Sequence, residues 1–167
     1  MKLKKTIIPI LSVCCLISVL SMIYVLFTIN SNSRQIKFIP PEFETAAQTD
    51  TPTIPAYLEW SEISHDGMTF KVGISGKIIV KEDNHADIFL SNNKENNVWL
   101  KLRILDENNN ILGETGLLKP GEYVQSITFN ESVVVGQKIK LKIMSYQPET
   151  YYSEGAIILN TIIKSEG

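Results

Sequence analysis

The sequence predicts an all-β domain that follows one N-terminal transmembrane helix. Two observations support this prediction: the first 29 of 167 residues contain a long uncharged apolar run, and from about residue 56 onward apolar and polar side chains alternate. Apolar residues at every second position are typical of strands with one buried face. The length suits one ordinary domain with an N-terminal appendage.

Residues 6–29 form the predicted membrane span, because these 24 consecutive positions carry no charge and 18 of them are hydrophobic. A helix of that length reaches about 36 Å, and the apolar core of a bilayer is about 30 Å thick. Three lysines lie within residues 1–5, so we expect these residues in the cytoplasm and the C-terminal part outside the cell. The alternative is a cleaved signal peptide, whose apolar region is usually shorter.

Residues 30–55 contain four prolines and show neither helical nor alternating apolar spacing, which predicts a disordered or partly extended linker. Both cysteines, Cys14 and Cys15, precede this linker within the apolar run. A disulfide therefore cannot stabilise the exported part, and side-chain packing must do so.

The domain at 56–167 begins with an alternating strand at 68–80, in which Gly73 and Gly76 predict a bend or bulge. Further strands are predicted, in order, at 86–91, 98–104, 111–118, 122–129, 139–143 and 155–164, and clusters of turn-forming residues separate them. Seven or eight short strands at roughly ten-residue spacing, without an amphipathic helix, predict an immunoglobulin-like or fibronectin-like antiparallel β-sandwich.

Three segments carry a family resemblance: Asp-Ile-Phe-Leu-Ser-Asn-Asn at 87–93, the alternating strand at 98–106, and Ile-Leu-Gly-Glu-Thr-Gly-Leu-Leu-Lys-Pro-Gly at 111–121. In these the chain resembles small Gram-positive membrane-anchored proteins of unassigned function. The resemblance implies an extracytoplasmic sandwich, often encoded beside genes for surface proteins or mobile elements. Its motifs are turn and core residues, so it implies no catalytic residues.

The sequence does not favour an enzyme or a cofactor-binding protein. Ser64, His65 and Asp66 have the residue types of a catalytic triad, but contiguous residues of an extended chain point to opposite faces. Two histidines and no cysteine outside the apolar run leave few ligands for zinc. We therefore predict no catalytic residue, no metal site and no cofactor.

Basic residues on predicted strand faces form the first candidate site. From residue 56 onward there are 11 basic and 15 acidic residues, yet most of the basic ones occupy outward strand positions. The candidate residues are Lys71, Lys77, Lys101, Arg103, Lys138, Lys140 and Lys142. If their strands share a sheet, one face would be a basic surface for an anionic polymer. Solubility and protection of strand edges are the alternative roles of these lysines.

Aromatic residues before the last predicted strand form the second candidate site. Trp99 has the outward register of its strand, and Tyr146, Tyr151 and Tyr152 lie in or near one loop. Exposed rings among polar loops suit a sugar or a protein partner, and packing between strand and loop is the alternative.

Together these features predict a membrane-tethered extracytoplasmic module that binds or scaffolds and does not catalyse. The predicted partners are the membrane, through residues 6–29, and another envelope protein, in the assembly of surface proteins, pili or conjugation machinery. The alternative is a binder of anionic cell-wall polymer or carbohydrate. Nucleic acid is not expected, because the exported domain has a net negative charge.

Overall fold

The computed structural model describes residues 3–31, 38–64, 67, 70–81 and 83–165. It divides into two units, Met1–Ile39 and Pro40–Gly167. The first unit contains one helix, α1, at Leu3–Ser31, whose side chains are described from residue 13 to residue 28. Within the described residues, no helix has both the length and the apolar character needed to cross a membrane.

The second unit is mostly β-sheet, as the alternation predicts. A short 3-10 turn at Ala56–Leu58 precedes the strands. Nine strands follow in the described residues: β1 at Trp60–Ile63, β2 at Val72–Ser75, β3 at Ile78–Val80, β4 at His85–Asn92, β5 at Trp99–Leu105, β6 at Ile111–Glu114, β7 at Tyr123–Thr128, β8 at Lys138–Tyr146 and β9 at Ser153–Ser165.

The strands are hydrogen-bonded in the order β1-β2-β4-β3-β9-β8-β5-β6, and β7 pairs with β4. We call β1, β2, β3, β4 and β7 the first half of the sheet, and β5, β6, β8 and β9 the second half. The long strand β9 connects the halves, because residues 153–162 pair with β8 and residues 163–165 pair with β3. The pairing of β3 with β9 is parallel. The prediction of a purely antiparallel arrangement is therefore wrong at this junction.

Both halves contribute to one apolar core. Fully buried residues of the first half, such as Ile78 and Ile88, cluster with Leu102, Leu141 and Ile143 of the second half. Burial of one such side chain contributes about 1.5–3 kcal/mol of hydrophobic free energy. The alternate residues of β5 and β8 face away from this core, which leaves a second face for the candidate site.

A second, smaller cluster is built around an irregularity in β4. The register of β4 against β7 shifts between Asp87 and Leu90, and Phe89 has a φ of 39°. This bulge directs Phe89 into a cluster with Leu58 of the 3-10 turn, and the Trp60 Nε1–H donates to the Phe89 carbonyl at 2.8 Å. Residues before the first strand therefore cover part of the sheet.

The predicted linker is also partly ordered, because the compact unit begins at Pro40 and not at residue 56. Residues 42–50, here called the strap, lie against the chain after β6 and the start of β7. Glu44 N–H donates to the Leu117 carbonyl at 2.9 Å, and Gln48 exchanges two 2.9 Å backbone hydrogen bonds with Tyr123. Within the linker at 30–55, which the sequence predicts to be disordered or partly extended, the strap thus finds backbone partners distant in sequence.

The predicted first strand at 68–80 is divided. Gly76 and Lys77 separate β2 from β3, and their N–H groups donate to the carbonyls of Glu59 and Leu58 at 3.1 Å. A Cβ at Gly76 would lie 2.9 Å from the Glu59 carbonyl oxygen, so this close passage requires glycine. Residues 68 and 69 lie outside the described part of the chain.

Candidate functional site

Five of the predicted basic residues share one face of the second half of the sheet. Strands β5 and β8 are direct neighbours, and Arg103 lies opposite Lys142 in their register. Because outward residues alternate with core residues, Lys101, Lys138 and Lys140 lie on the same face. We call these five residues the basic face.

Glu114 on β6 neutralises one end of the basic face. Its carboxylate pairs with Lys101 Nζ at 2.9 Å and with Arg103 Nε at 2.8 Å. Burial alone would raise the pKa of the Glu114 carboxyl, but hydrogen bonds from the two cations outweigh burial and lower it. Lys101 is only 7% exposed, so this ion pair is mainly structural and Lys101 is not accessible to a large ligand.

The other end of the basic face is more open. Lys138 Nζ lies 3.6 Å from the Glu107 carboxylate, and both side chains are about two-thirds exposed. Lys140 Nζ donates to the Asn109 Oδ1 atom at 2.9 Å. Lys142 is half-buried and has no hydrogen-bond or ion-pair partner among the described residues. Among the described residues, the five cations thus face the carboxylates of Glu114 and Glu107, and Asp106 also interacts electrostatically with Lys140, which leaves two unbalanced positive charges.

Lys71 and Lys77 do not join the basic face, because they flank β2 in the first half of the sheet. Lys71 Nζ lies 2.6 Å from Glu95, and their hydrogen bond raises the pKa of the lysine and lowers that of the carboxyl. Lys77 pairs with Glu59 at 2.5 Å, and the same kind of hydrogen bond lowers the pKa of the Glu59 carboxyl. The predicted basic surface is therefore smaller than the sequence suggests.

A groove of about 440 Å³ adjoins the open end of the basic face. It runs along β8 and β9, and it combines cationic, amide, hydroxyl and apolar side chains. Its lining includes Glu107, Lys138, Lys140, Asn160, Ile162 and Lys164. Lys164 and the β9 residues were not among the predicted site residues, although the alternation of the sequence indicates the outward register of Asn160 and Ile162.

The aromatic candidates are mostly brought together. Trp99 makes edge contacts with Tyr151, at a centroid distance of 5.2 Å, and with Phe43 of the strap, at 4.8 Å. Tyr146 lies directly opposite Trp99 in the pairing of β5 with β8. Tyr152, by contrast, is 73% exposed. The cluster packs the strap and the loop before β9 against β5, which agrees with the packing alternative.

Phe43 is the member of this cluster that the sequence analysis missed. It lies in the region predicted to be a disordered linker, and its ring also lies beneath Lys119 Nζ at 4.7 Å. The one available signal was a large aromatic residue between acidic residues after Pro40 and Pro41.

A second groove, of about 520 Å³, lies at the same end of β5, and Asn97, Gln147, Glu149 and Glu154 contribute to its lining.

The other polar groups of interest form local structure. His85 contacts the Asp83 carbonyl through Nδ1 and Thr128 Oγ1 through Nε2. Of the predicted unproductive triad, His65 and Asp66 lie outside the described residues. In the described part of the chain, no group of three or more His, Cys, Asp or Glu side chains has the arrangement to hold a metal ion.

The chain matches no family model, no curated protein and no solved structure.

Proposed function

We propose that this chain is a membrane-tethered extracytoplasmic binding module whose basic face holds an anionic polymer. The observation that carries the proposal is the shared face of β5 and β8, where five cations outnumber the three described carboxylates that interact with them. Cations held at strand spacing can contact successive phosphates of an extended chain. We expect Lys138, Lys140 and Lys142 to make the main contacts, because Lys101 is buried beside Glu114.

We further propose that the sheet folds over itself as an immunoglobulin-like or fibronectin-like β-sandwich. Support comes from the single core shared by the two halves and from the division of the first predicted strand at Gly76. The parallel pairing of β3 with β9 lets one chain segment contribute to both halves. On this fold, one outward face and the loops at each end remain for binding.

The proposed tether is helix α1. Residues 6–29 carry no charge, Lys2, Lys4 and Lys5 precede them, and α1 covers this run. The resemblance to small Gram-positive membrane-anchored proteins favours phosphate-bearing polymers of the cell wall as the ligand class. The domain would bind and not catalyse, because the motifs that carry the resemblance are turn and core residues.

The polymer proposal is tested with the full chain in nanodiscs and poly(glycerol phosphate) as the probe. We expect cosedimentation that falls as sodium chloride rises from about 0.05 to 0.5 M, because salt screens exposed charges. Charge reversal of Lys138, Lys140 and Lys142 to Glu should weaken retention at least about tenfold. Reversal of Lys94, which lies in the turn before β5, is the matched control and should leave retention unchanged.

Equal retention of the triple variant and the control would contradict the polymer proposal.

A second candidate function, as an accessory in the assembly of surface proteins, is favoured by exposed apolar residues in and beside the groove. Ile162, which lines the groove, and Ile158, on the same face of β9, are 43% and 54% exposed, respectively. Crosslinking in cells should then recover one protein at a fixed ratio to this chain, whereas a polymer binder should give no such ratio.

A further inference from the structure

Strand β9 has one long edge without a neighbour in the described part of the chain. Residues 153–162 pair with β8 on one side, and β3 reaches β9 only at residues 163–165. The Ile163 N–H donates to the Gln137 carbonyl at 2.9 Å. Because an antiparallel ladder alternates, the N–H and C=O groups of Ala156, Ile158 and Asn160 point away from β8.

Beyond a register shift at 153–155, this edge lacks the features that usually prevent pairing with another chain. Natural sheets protect edges with lysine, proline, bulges or a covering segment. Residues 155–163 contain no charged residue and no proline, and five of the nine are isoleucine or threonine in the strand core at 157–158 and 161–163. Ile158 and Ile162 are 54% and 43% exposed. An edge of this composition and length is typical of a site for strand addition.

The side chains beside the edge indicate what an added strand would carry. On the inner side, Ile157 and Leu159 pack against the core but remain only partly buried. Apolar side chains of an incoming strand would extend the core over these two residues. On the outer side, the groove presents Lys138, Lys140 and Lys164 with the single carboxylate of Glu107, so it favours acidic side chains.

We infer that the edge of β9 at 153–162 binds an extended segment of another protein in which apolar and acidic residues alternate. The segment would add as a strand, with apolar side chains against the core and carboxylates over the groove. This inference goes beyond the polymer proposal, because it uses the backbone of β9 and a protein partner.

A second copy of the chain fits the edge less well. The outward residues of β9 are Glu154, Ala156, Ile158, Asn160 and Ile162. They include one carboxylate, whereas the groove offers three lysines. Charge complementarity therefore selects an acidic partner strand.

The test uses the full chain in nanodiscs and a fluorescein-labelled ten-residue peptide in which valine alternates with glutamate. Fluorescence anisotropy should show saturable binding, and the amides of Ala156, Ile158 and Asn160 should become protected from hydrogen exchange. A peptide of valine alternating with lysine should bind at least tenfold more weakly, because it carries the wrong charge. A valine–glutamate peptide with N-methyl groups on one edge should lose binding by a similar factor, because N-methylation removes the backbone donors.

A protein variant tests the same edge from the other side. Asn160→Pro removes an N–H that points away from β8, so it should weaken peptide binding at least tenfold while the pairing with β8 remains. The control is Asn97→Ala, in an exposed turn outside β9. Asn130→Pro would be unsuitable, because the Asn130 N–H donates to the Leu112 carbonyl.

Three outcomes would overturn the inference: equal binding of the glutamate and lysine peptides, unchanged binding of the N-methylated peptide, or a dimer of the chain that Asn160→Pro dissociates. The last outcome would assign the edge to a second copy. Retention on poly(glycerol phosphate) should be unchanged in Ile158→Pro, which likewise removes an N–H that points away from β8 but lies outside the groove lining, so failure of strand addition and failure of polymer binding are distinguished.

Discussion

The strap and the unpaired edge of β9 at 153–162, here called the bare edge, show two ways in which this domain treats backbone groups that lack a neighbouring strand. Residues 42–48 supply backbone partners to Leu117 and Tyr123, which lie after the end of β6 and at the start of β7. Residues 153–162 of β9 have β8 on one side and no described strand on the other.

Edge protection in this domain does not follow local composition. The covered segment at 115–123 has Lys119, Pro120 and Gly121, which already disfavour strand addition, and it also has the strap. The bare edge of β9 has β-branched residues, which favour strand addition, and no covering strand among the described residues. The domain covers the edge whose composition disfavours strand addition and leaves open the edge whose composition favours it. This arrangement is consistent with a binding role for the open edge.

The largest expected effect comes from breaking the covered edge at Gly116. A Cβ at this position would overlap the backbone of Phe43 and Glu44, so Gly116→Val should displace the strap. Overpacking and lost hydrogen bonds should lower the free energy of unfolding by about 3 kcal/mol, measured by urea unfolding. Hydrogen exchange at the Leu117 and Tyr123 amides should accelerate.

Thr45→Val, at an exposed position within the strap, is the control for Gly116→Val and should change stability by no more than about 0.5 kcal/mol. Retained protection of the Leu117 and Tyr123 amides in Gly116→Val would show that this close contact does not hold the strap in place.

The next largest loss of stability is expected at Asn92, whose buried side chain joins two chain segments by hydrogen bonds. Its Nδ2 donates to the carbonyls of Val98 at 2.8 Å and Leu118 at 2.9 Å. Asn92→Ala leaves these carbonyls without that donor, and it should cost about 2 kcal/mol in chemical unfolding. Asn130→Ala at an exposed position should cost less than about 0.5 kcal/mol, and equal losses would contradict this role of Asn92.

A smaller effect is expected from Glu114 on β6, the strand nearest the covered edge. Glu114→Gln should lower stability by about 1 kcal/mol at neutral pH, a value that allows for solvent screening of a partly exposed carboxylate. The folded state lowers the pKa of this carboxyl below its usual 4.5, so its contribution is present above that value. The contribution is lost as the pH falls through the lowered pKa.

Unfolding free energies of wild type and Glu114→Gln, measured from pH 7 to about pH 3, should therefore converge in acid. Glu107→Gln is the control, because its ion pair with Lys138 is exposed and should contribute no more than about 0.3 kcal/mol. A constant difference between wild type and Glu114→Gln across this range would exclude the proposed electrostatic origin.

The smallest effect on stability is expected at the bare edge. Ile162→Glu places an acid opposite Lys138 at a 43% exposed position, so stability should change by less than about 0.5 kcal/mol. Binding of the valine–glutamate peptide should nevertheless fall at least about tenfold, because the new carboxylate repels the acidic side chains of the peptide and neutralises a lysine of the groove. Val134→Glu, off the edge, should leave peptide binding unchanged; a similar decrease would assign the effect to the net charge of the domain.

The sequence predicted the strands whose alternation is clean and missed the features that depend on distant partners. Strands β5 and β8 were predicted because Leu102 and Ile143 alternate with charged residues. Strand β1 was missed, because Trp60–Ile63 shows no apolar alternation. The strap was missed because its order depends on Leu117, which lies 74 residues from Phe43 in the chain.

The same limit applies to the candidate site. Alternation correctly placed Arg103 and Lys142 on outward positions, and the pairing of β5 with β8 brings them together. It could not reveal that Lys71 and Lys77 flank a strand of the other half of the sheet. It also could not show that Lys101 is buried, because burial here depends on Glu114 from another strand.

The parallel pairing of β3 with β9 has a consequence for how fast the domain folds. Ile78 and Ile163 are opposite each other in this pairing, yet 85 residues separate them in the chain. Closing so long a loop costs conformational entropy before the pairing contributes favourable free energy, so folding should take milliseconds to seconds. We expect local hairpins to form first and the junction at β9 to close among the last steps, which leaves β9 open to capture by a partner strand during folding.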